Sequence, residues 1–293
     1  MRKPYLPVLP APVIRKAVEA ALIEDLGLAG DVTSLATIGP DVRARAVLSV
    51  REKGIVSGLD VAAAAFREID PETLFTAQVR DGETVEAGQV IALIEGTGRA
   101  IMGAERVALN FMMHMSGIAT HTARFVDELF GTGARIVCTR KTTPGLRAFE
   151  KYAVRCGGGT SHRYGLDDAV LIKDNHIAVC GGVRQALERA KGYVGHLMAV
   201  EIEVDTLDQF SEALGAGAGI VLLDNMTLAE LRKAVATNNG AILEASGNVD
   251  LDTVRAIGET GVHYISTSKI TMAAGTLDIG LDITLGDDSE QLD

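Results

Sequence analysis

Tryptophan is absent from this 293-residue chain, and Phe and Tyr together supply only 4% of it. No stretch interleaves aromatic with basic residues, the arrangement on which single-stranded nucleic acids stack. Positive charge is also scarce: 28 Lys and Arg face 39 Asp and Glu, a formal net charge of -11. Neutralising a polyanion needs a dense basic face, so neither a nucleic acid nor an anionic membrane is expected as a partner. The three cysteines, Cys138, Cys156 and Cys180, are odd in number and lack C-x-x-C spacing. That pattern argues against a disulfide framework and a structural zinc site, and for a cytoplasmic location. No apolar run is long enough to span a bilayer, and prolines break up the N-terminal stretch MRKPYLPVLPAPVIRKA before it reaches the length of a signal-peptide core.

What remains is an ordinary globular composition, 47% hydrophobic with 32 Gly and 7 Pro. At about 150 residues per domain the length suggests two domains, and the abundance of Ala, Gly and Val leans toward an α/β fold. Residues 12–28 place Val13, Ala17, Val18, Ala21, Leu22 and Leu26 at helical spacing and stop at Gly27. From Ala44 to Gly98 the texture is β-like, with one helical insert over 60–68, and a long helical pattern runs from Ala104 to about Phe130. Beyond it the apolar runs ARIVC, DAVLIK, LMAVEIEV, AGIVLLD, AILEAS and VHYIS alternate with helical segments, the signature of parallel βαβ crossovers. The alternating tail TLDIGLDITL reads as an edge strand that returns to the first domain.

Each of those runs ends in a polar or charged residue: Thr139-Arg140-Lys141, Lys173, Glu203, Asp224, Ser246-Gly247-Asn248 and Ser266-Thr267-Ser268. In a βα barrel the carboxyl ends of the strands meet on one face, so these distant positions would converge there. Residues 139–177 hold seven Lys or Arg against four acids, a local cationic excess suited to an anionic ligand. Arg147, Lys151 and Arg155 recur every four residues and are expected on a solvated helix face. Arg140, Lys141, Arg163 and Lys173 sit at strand ends or after a glycine loop and are the better functional candidates. The loop Gly157–Gly159 with Thr160 and Ser161 is weighted slightly toward anion binding over a plain turn, and His162 is promoted for its place beside it. His114, His121, His176 and His263 are expected to be structural. Glu201, Glu203 and Asp205 share a strand face, with salt bridges to Lys141 and Lys173 expected for Glu201 and a functional role for Glu203 and Asp224, the pair best suited to Mg²⁺. The serine-rich endings of the last two strands are candidate phosphate sites. Residues 79–95 resemble a biotinyl or lipoyl half-motif but contain no lysine for attachment, so they are read as a structural β element.

The segments EDLGLAGDVTS, REKGIVSG, ERVALNFM, TRKTTPGLRAFEKYAV, GGGTSHRYGLDDAVLIKDNHI, EIEVD, VLLDNM and LEASGN together resemble the quinolinate phosphoribosyltransferase family over nearly the whole chain. The resemblance implies an N-terminal α/β sandwich, residues 1–112 completed by 273–293, and an open α/β barrel, residues 113–272. It implies transfer of phosphoribosyl from phosphoribosyl pyrophosphate to quinolinate, with release of pyrophosphate and CO₂ and formation of nicotinate mononucleotide. By the same resemblance Thr139, Arg140, His162, Arg163 and Lys173 bind quinolinate, and Arg106 reaches in from the partner subunit of a homodimer, further assembly being left open. Lys141, Glu203 and Asp224 carry the catalytic roles, the two acids with Mg²⁺, while Ser246, Gly247, Asn248, Ser266, Thr267 and Ser268 surround phosphate. A related type II phosphoribosyltransferase acting on another base is the alternative, with a carrier module a distant third.

Overall fold

The computed structural model describes residues 6–285. The chain opens with α1 (Ala11–Leu26), which has a proline in its first turn, where no backbone donor is needed. Ile14, Val18 and Leu22 form its buried stripe. Ile14 therefore heads the face in place of Val13, which is 37% exposed. Then come α2 (Val32–Thr37), β1 (Arg43–Val50), β2 (Gly54–Ile55), α3 (Leu59–Ile69), β3 (Leu74–Ala77), β4 (Thr84–Val85), β5 (Val90–Thr97) and α4 (Gly98–Glu128). The regular alternation begins with β6 (Arg135–Val137), α5 (Arg147–Cys156), β7 (Val170–Ile172), α6 (Asp174–Cys180), α7 (Val183–Tyr193), β8 (Val200–Val204) and α8 (Leu207–Gly215). It ends with β9 (Ile220–Asp224), α9 (Leu228–Thr237), β10 (Ile242–Ser246), α10 (Val254–Gly258), β11 (Tyr264–Ser266), α11 (Lys269–Met272) and β12 (Ile279–Leu285).

These elements form two compact units. The first takes the chain up to His121, Pro144–Gly158 and the chain from Ala274 onward; the second takes Thr122–Thr143 and Gly159–Ala273. The split differs from a cut at residue 112 in two places: α4 stays with the first unit as far as His121, and α5 also falls there. The first unit is built on an antiparallel sheet of order β12-β1-β5-β3, with β2 and β4 paired separately. Residues 79–95 supply β4 to the small sheet and most of β5 to the large one, and Val85, Ile91 and Ile94 are wholly buried. The stretch is therefore built into sheet structure. At the start of α3 the Asp81 carboxylate accepts the N–H groups of Gly58 and Leu59, at 3.0 and 3.2 Å, and the Tyr152 hydroxyl at 2.8 Å. It serves as a cap donated from another part of the chain.

One expectation fails here. Lys151 is 0% exposed, so Arg147, Lys151 and Arg155 do not form a solvated face. Phe149, Glu150, Ala153 and Val154 are buried as well, so α5 is enclosed on several sides and a four-residue charge spacing marks no solvent side.

The second unit holds a parallel sheet of order β6-β11-β10-β9-β8-β7, extended beyond β6 by a bridge between Val137 and Thr160. It is an open α/β barrel. Ile202, Val204, Val221, Leu223, Leu243 and Ile265, all at most 1% exposed, form its apolar core on one face of the strands.

Candidate active site

Register decides which side chains can meet on the other face. Glu201 pairs with Ile220 and Glu203 with Leu222; Leu222 pairs with Glu244 and Asp224 with Ser246; Ser246 pairs with Ser266. Paired residues of parallel strands project to the same side, and the side alternates along each strand. Glu201, Glu203, Asp224, Glu244, Ser246 and Ser266 therefore share one face, opposite the apolar core. Three of these side chains sit at the carboxyl ends of their strands, and Glu203 one residue short of its own.

At that end Lys173 Nζ donates to Glu203 Oε2 at 2.6 Å. Asp224 Oδ2 accepts from Asn225 Nδ2 at 2.6 Å. Asn225 and Asn248 both have left-handed backbones, with φ of 53° and 52°. The N–H of Asn225 donates to the Ser246 carbonyl at 2.8 Å, and Asn248 Nδ2 donates to Asn225 Oδ1 at 3.4 Å. Gly247 sits between them with φ of 98°, and a Cβ there would run into the Asn225 side chain. The turn after Asp224 and the turn Ser246–Asn248 are thus locked together. Lys141 is exposed; its N–H donates to Thr139 Oγ1 at 3.0 Å and its carbonyl accepts from Thr271 Oγ1 at 2.8 Å. These bonds fix the backbone on which its ammonium stands. Ser266 and Thr267 are buried, and the Thr267 hydroxyl donates to the Val249 carbonyl at 3.2 Å, which ties down the loop leading to Ser268.

His162 and Arg163 line a cavity of about 440 Å³ whose wall includes Glu201, Glu244 and the first residues of β9, β10 and β11. These two therefore do not lie only among the carboxyl ends of the strands. Arg163 Nη1 donates to the Ala169 carbonyl at 3.0 Å, and its Nε is buried with no hydrogen-bond partner. Its guanidinium is pulled below the ordinary arginine value, first by burial and then by the nearby charge of Arg140. A guanidinium with an unpartnered buried Nε, bordering a cavity and feeling a second positive charge, is suited to an anion. The Asp168 carboxylate accepts the N–H groups of Tyr164 and Gly165, at 2.6 and 2.9 Å, and braces the loop that follows Arg163.

Glu201 does not pair with Lys141 or Lys173 as expected. Its Oε2 lies 2.8 Å from His162 Nε2, and Glu244 Oε1 lies 3.7 Å from the same nitrogen. The Glu244 carboxyl is pushed up to about 7, by burial and then by the Glu201 charge. These three residues could be read as metal ligands, since one donor atom from each lies within 4.8 Å of the others. The imidazole argues otherwise. His162 Nδ1 accepts the N–H of Arg163 at 2.8 Å, whereas a metal on Nε2 of a neutral ring would force a proton onto Nδ1, facing that donor.

The glycine loop divides: Thr160 and Ser161 line the cavity, and its first two glycines do not. The N–H of Gly157 donates to Ala153 and that of Gly158 to Arg155, so both close α5 and neither is turned to an anion. His176 and His263 are structural, as expected: each accepts a backbone N–H through Nδ1, from Lys173 at 3.0 Å and Leu243 at 2.9 Å.

Residues 31–116 match the N-terminal domain, and residues 118–282 the C-terminal domain, of the family described as quinolinate phosphoribosyl transferase. The chain belongs to the quinolinate phosphoribosyl transferase family. A probable nicotinate-nucleotide pyrophosphorylase (carboxylating) of Bacillus subtilis (strain 168) is 39% identical to it, the match covering 94% of this chain and 95% of that protein. A quinolinate phosphoribosyltransferase (decarboxylating) 1b of Nicotiana tabacum is 41% identical, covering 94% and 84%. Among solved structures, NadC from Streptococcus pyogenes superposes with a TM-score of 0.92 at 38% identity, covering 96% of this chain and 100% of that one.

Two residues of the site did not stand out in the sequence. Glu244 was hidden inside the apolar run AILEAS, although its two-residue offset from Ser246 places both on one face. Asn225 follows a strand-ending acid, and its left-handed backbone leaves no trace in residue type beyond the general tolerance of Asn for that conformation. Arg106 is exposed on α4, with Glu105 Oε1 3.8 Å from its Nη2.

Proposed function

We propose that the protein transfers phosphoribosyl from phosphoribosyl pyrophosphate to quinolinate and decarboxylates the product, giving nicotinate mononucleotide, pyrophosphate and CO₂ in de novo NAD biosynthesis. The observation that carries this reading is the cavity bordered by Arg163, whose buried Nε has no hydrogen-bond partner, in an otherwise acidic chain, with the charge of Arg140 bearing on the same guanidinium. A dianion with carboxylates on adjacent ring carbons suits two guanidinium forks. Thr139 and Lys173, which follow β6 and β7, and His162 are the further residues assigned to quinolinate.

The chemistry follows from charge. Loss of pyrophosphate leaves an oxocarbenium-like ribose C1, and Lys141 stabilises the departing negative charge. A carboxylate, Glu203 or Asp224, supports the cationic ribose. The pyridine nitrogen then bonds to C1 and becomes a pyridinium. Its positive charge holds the electron pair left on the adjacent carbon when the 2-carboxylate departs as CO₂, and that carbon takes up a proton from water. No protein base is needed for the decarboxylation. Ser246, Gly247 and Asn248 with Ser266, Thr267 and Ser268 surround phosphate. Glu203 and Asp224 offer hard oxygen donors from adjacent strands, a set that fits Mg²⁺, which when bound supplies charge neutralisation to pyrophosphate. Lys173 donates to the same Glu203 carboxylate at 2.6 Å.

The enzyme works as a homodimer in the cytoplasm, Arg106 of one subunit completing the site of the other. Among the described residues no helix is long and apolar enough to cross a membrane.

The deciding assay supplies quinolinate, phosphoribosyl pyrophosphate and Mg²⁺ and follows CO₂ and nicotinate mononucleotide. No product from folded protein overturns the reading, and turnover of a different base in its place would assign the chain to another type II phosphoribosyltransferase. Mixed dimers of Arg106→Ala and Lys173→Ala chains should regain activity through one intact site, and inactive mixed dimers would refute the shared site.

A further inference from the structure

A short chain of hydrogen bonds ties Arg163 to Glu201, a residue that the reaction as described does not use. A backbone N–H can only donate. Because the N–H of Arg163 points at His162 Nδ1 from 2.8 Å, that nitrogen must carry a lone pair. The ring proton is then on Nε2, which donates to Glu201 Oε2 at 2.8 Å. Both ring nitrogens are thus engaged in the chain that joins Glu201 to Arg163. Glu244 Oε1, 3.7 Å from Nε2, lies beyond hydrogen-bond reach and does not take the place of Glu201.

The two ends of this chain differ in rigidity. Glu201 is 6% exposed and lies within β8, in register with Leu171 on one side and Ile220 on the other. Arg163 lies in no strand; it follows the bridge residue Thr160, and its guanidinium is held through Nη1 by the Ala169 carbonyl. We infer that Glu201, acting through His162, is a positioning residue for Arg163: the relay fixes the backbone from which the guanidinium is aimed at a quinolinate carboxylate. This rests on the assignment of Arg163 to quinolinate. Misplacement of a binding group by about 1 Å can cost on the order of 100-fold in rate, so an anchor two bonds removed from the substrate has a measurable effect.

The test is a set of steady-state measurements on the full-length enzyme. Glu201→Leu removes the acceptor and should raise the quinolinate KM by about tenfold or more, with the KM for phosphoribosyl pyrophosphate moving less than about threefold. Glu201→Gln keeps an acceptor oxygen and should restore the quinolinate KM to within about threefold of wild type. In an Arg163→Ala background, Glu201→Leu should add nothing further, because the relay acts only through Arg163. Full additivity of the two substitutions, or an unchanged quinolinate KM in folded Glu201→Leu, overturns the relay. If Glu201→Leu does not fold, ¹⁵N NMR of the wild-type imidazoles decides: His162 must show its proton on Nε2 and an acceptor Nδ1, and a proton on Nδ1 refutes the proposal. A wild-type enzyme that does not turn over quinolinate sinks the functional assignment itself, whereas an active wild type with additive variants sinks only the relay.

Discussion

Glu244 should make the protein less stable as pH rises, through one carboxyl. It is buried on the sheet face beside Glu201, and the neutral His162 imidazole has a single proton to donate, already placed on Glu201. Burial and the Glu201 charge both disfavour a second carboxylate, which is why the Glu244 pKa rises from 4.5 to about 7. Between those two values the folded chain holds a proton that the unfolded chain has lost, so stability falls with increasing pH. The contribution is intact below 4.5, declines across the window and is gone above about 7. The gap corresponds to about 3 kcal/mol, of which roughly 2 kcal/mol falls between pH 5.5 and 8.5.

Glu244→Gln isolates this effect, because the amide has nearly the same shape and no proton to lose. Thermal unfolding of wild type and variant, measured in parallel at pH 5.5 and 8.5, should show the variant gaining about 2 kcal/mol relative to wild type at the higher pH. For a chain of this size that is about 4–8 °C in Tm. Groups remote from Glu244 titrate alike in both proteins and cancel in the difference. Parallel Tm curves for the two proteins across the window would refute the buried-pair argument.

Three further outcomes are expected. Asp81→Ala leaves two amide donors and the Tyr152 hydroxyl without their acceptor and should cost about 2–4 kcal/mol in urea unfolding, against about 1 kcal/mol for Tyr152→Phe; equal costs would show that the helix amides find other partners. Gly247→Ala should raise the KM for phosphoribosyl pyrophosphate by about tenfold or more, since it forces Asn225 out of the turn, while Gly219→Ala, in open space, should match wild type. Chelation should abolish turnover and added Mg²⁺ should restore it, with Glu203→Gln and Asp224→Asn each raising the Mg²⁺ requirement by about tenfold; a chelator-resistant wild type would remove the metal from the mechanism.

The strand ends were legible because a polar residue closing an apolar run stands out locally, which is how Lys173, Glu203, Asp224, Ser246 and Ser266 could be picked from sequence. What could not be read was which of them touch. Glu201 bonds to a histidine 39 positions away, and the register that brings them together is set by packing across the sheet. Lys151 failed for a related reason. Its spacing describes a helix face correctly, but spacing alone does not say whether that face meets water or protein.

The net charge of -11 conceals the same distinction at the level of the whole molecule. Averaged over the chain it speaks against long polyanions, whose binding sums many contacts over a wide surface. A small dianion samples only the field within a few ångströms, where Arg140 and Arg163 outweigh distant acids screened by solvent. Within the cavity the opposing charge comes from Asp168, Glu201 and Glu244, all placed on the wall that holds Arg163. The Asp168 carboxylate is turned to the N–H groups of Tyr164 and Gly165. Glu201 accepts the His162 proton, and burial drives Glu244 toward its neutral form, so the negative charge competing with substrate for Arg163 is smaller than a count of carboxylates suggests. The local arrangement of protons, more than the number of basic residues, makes an acidic protein able to receive an acidic ligand.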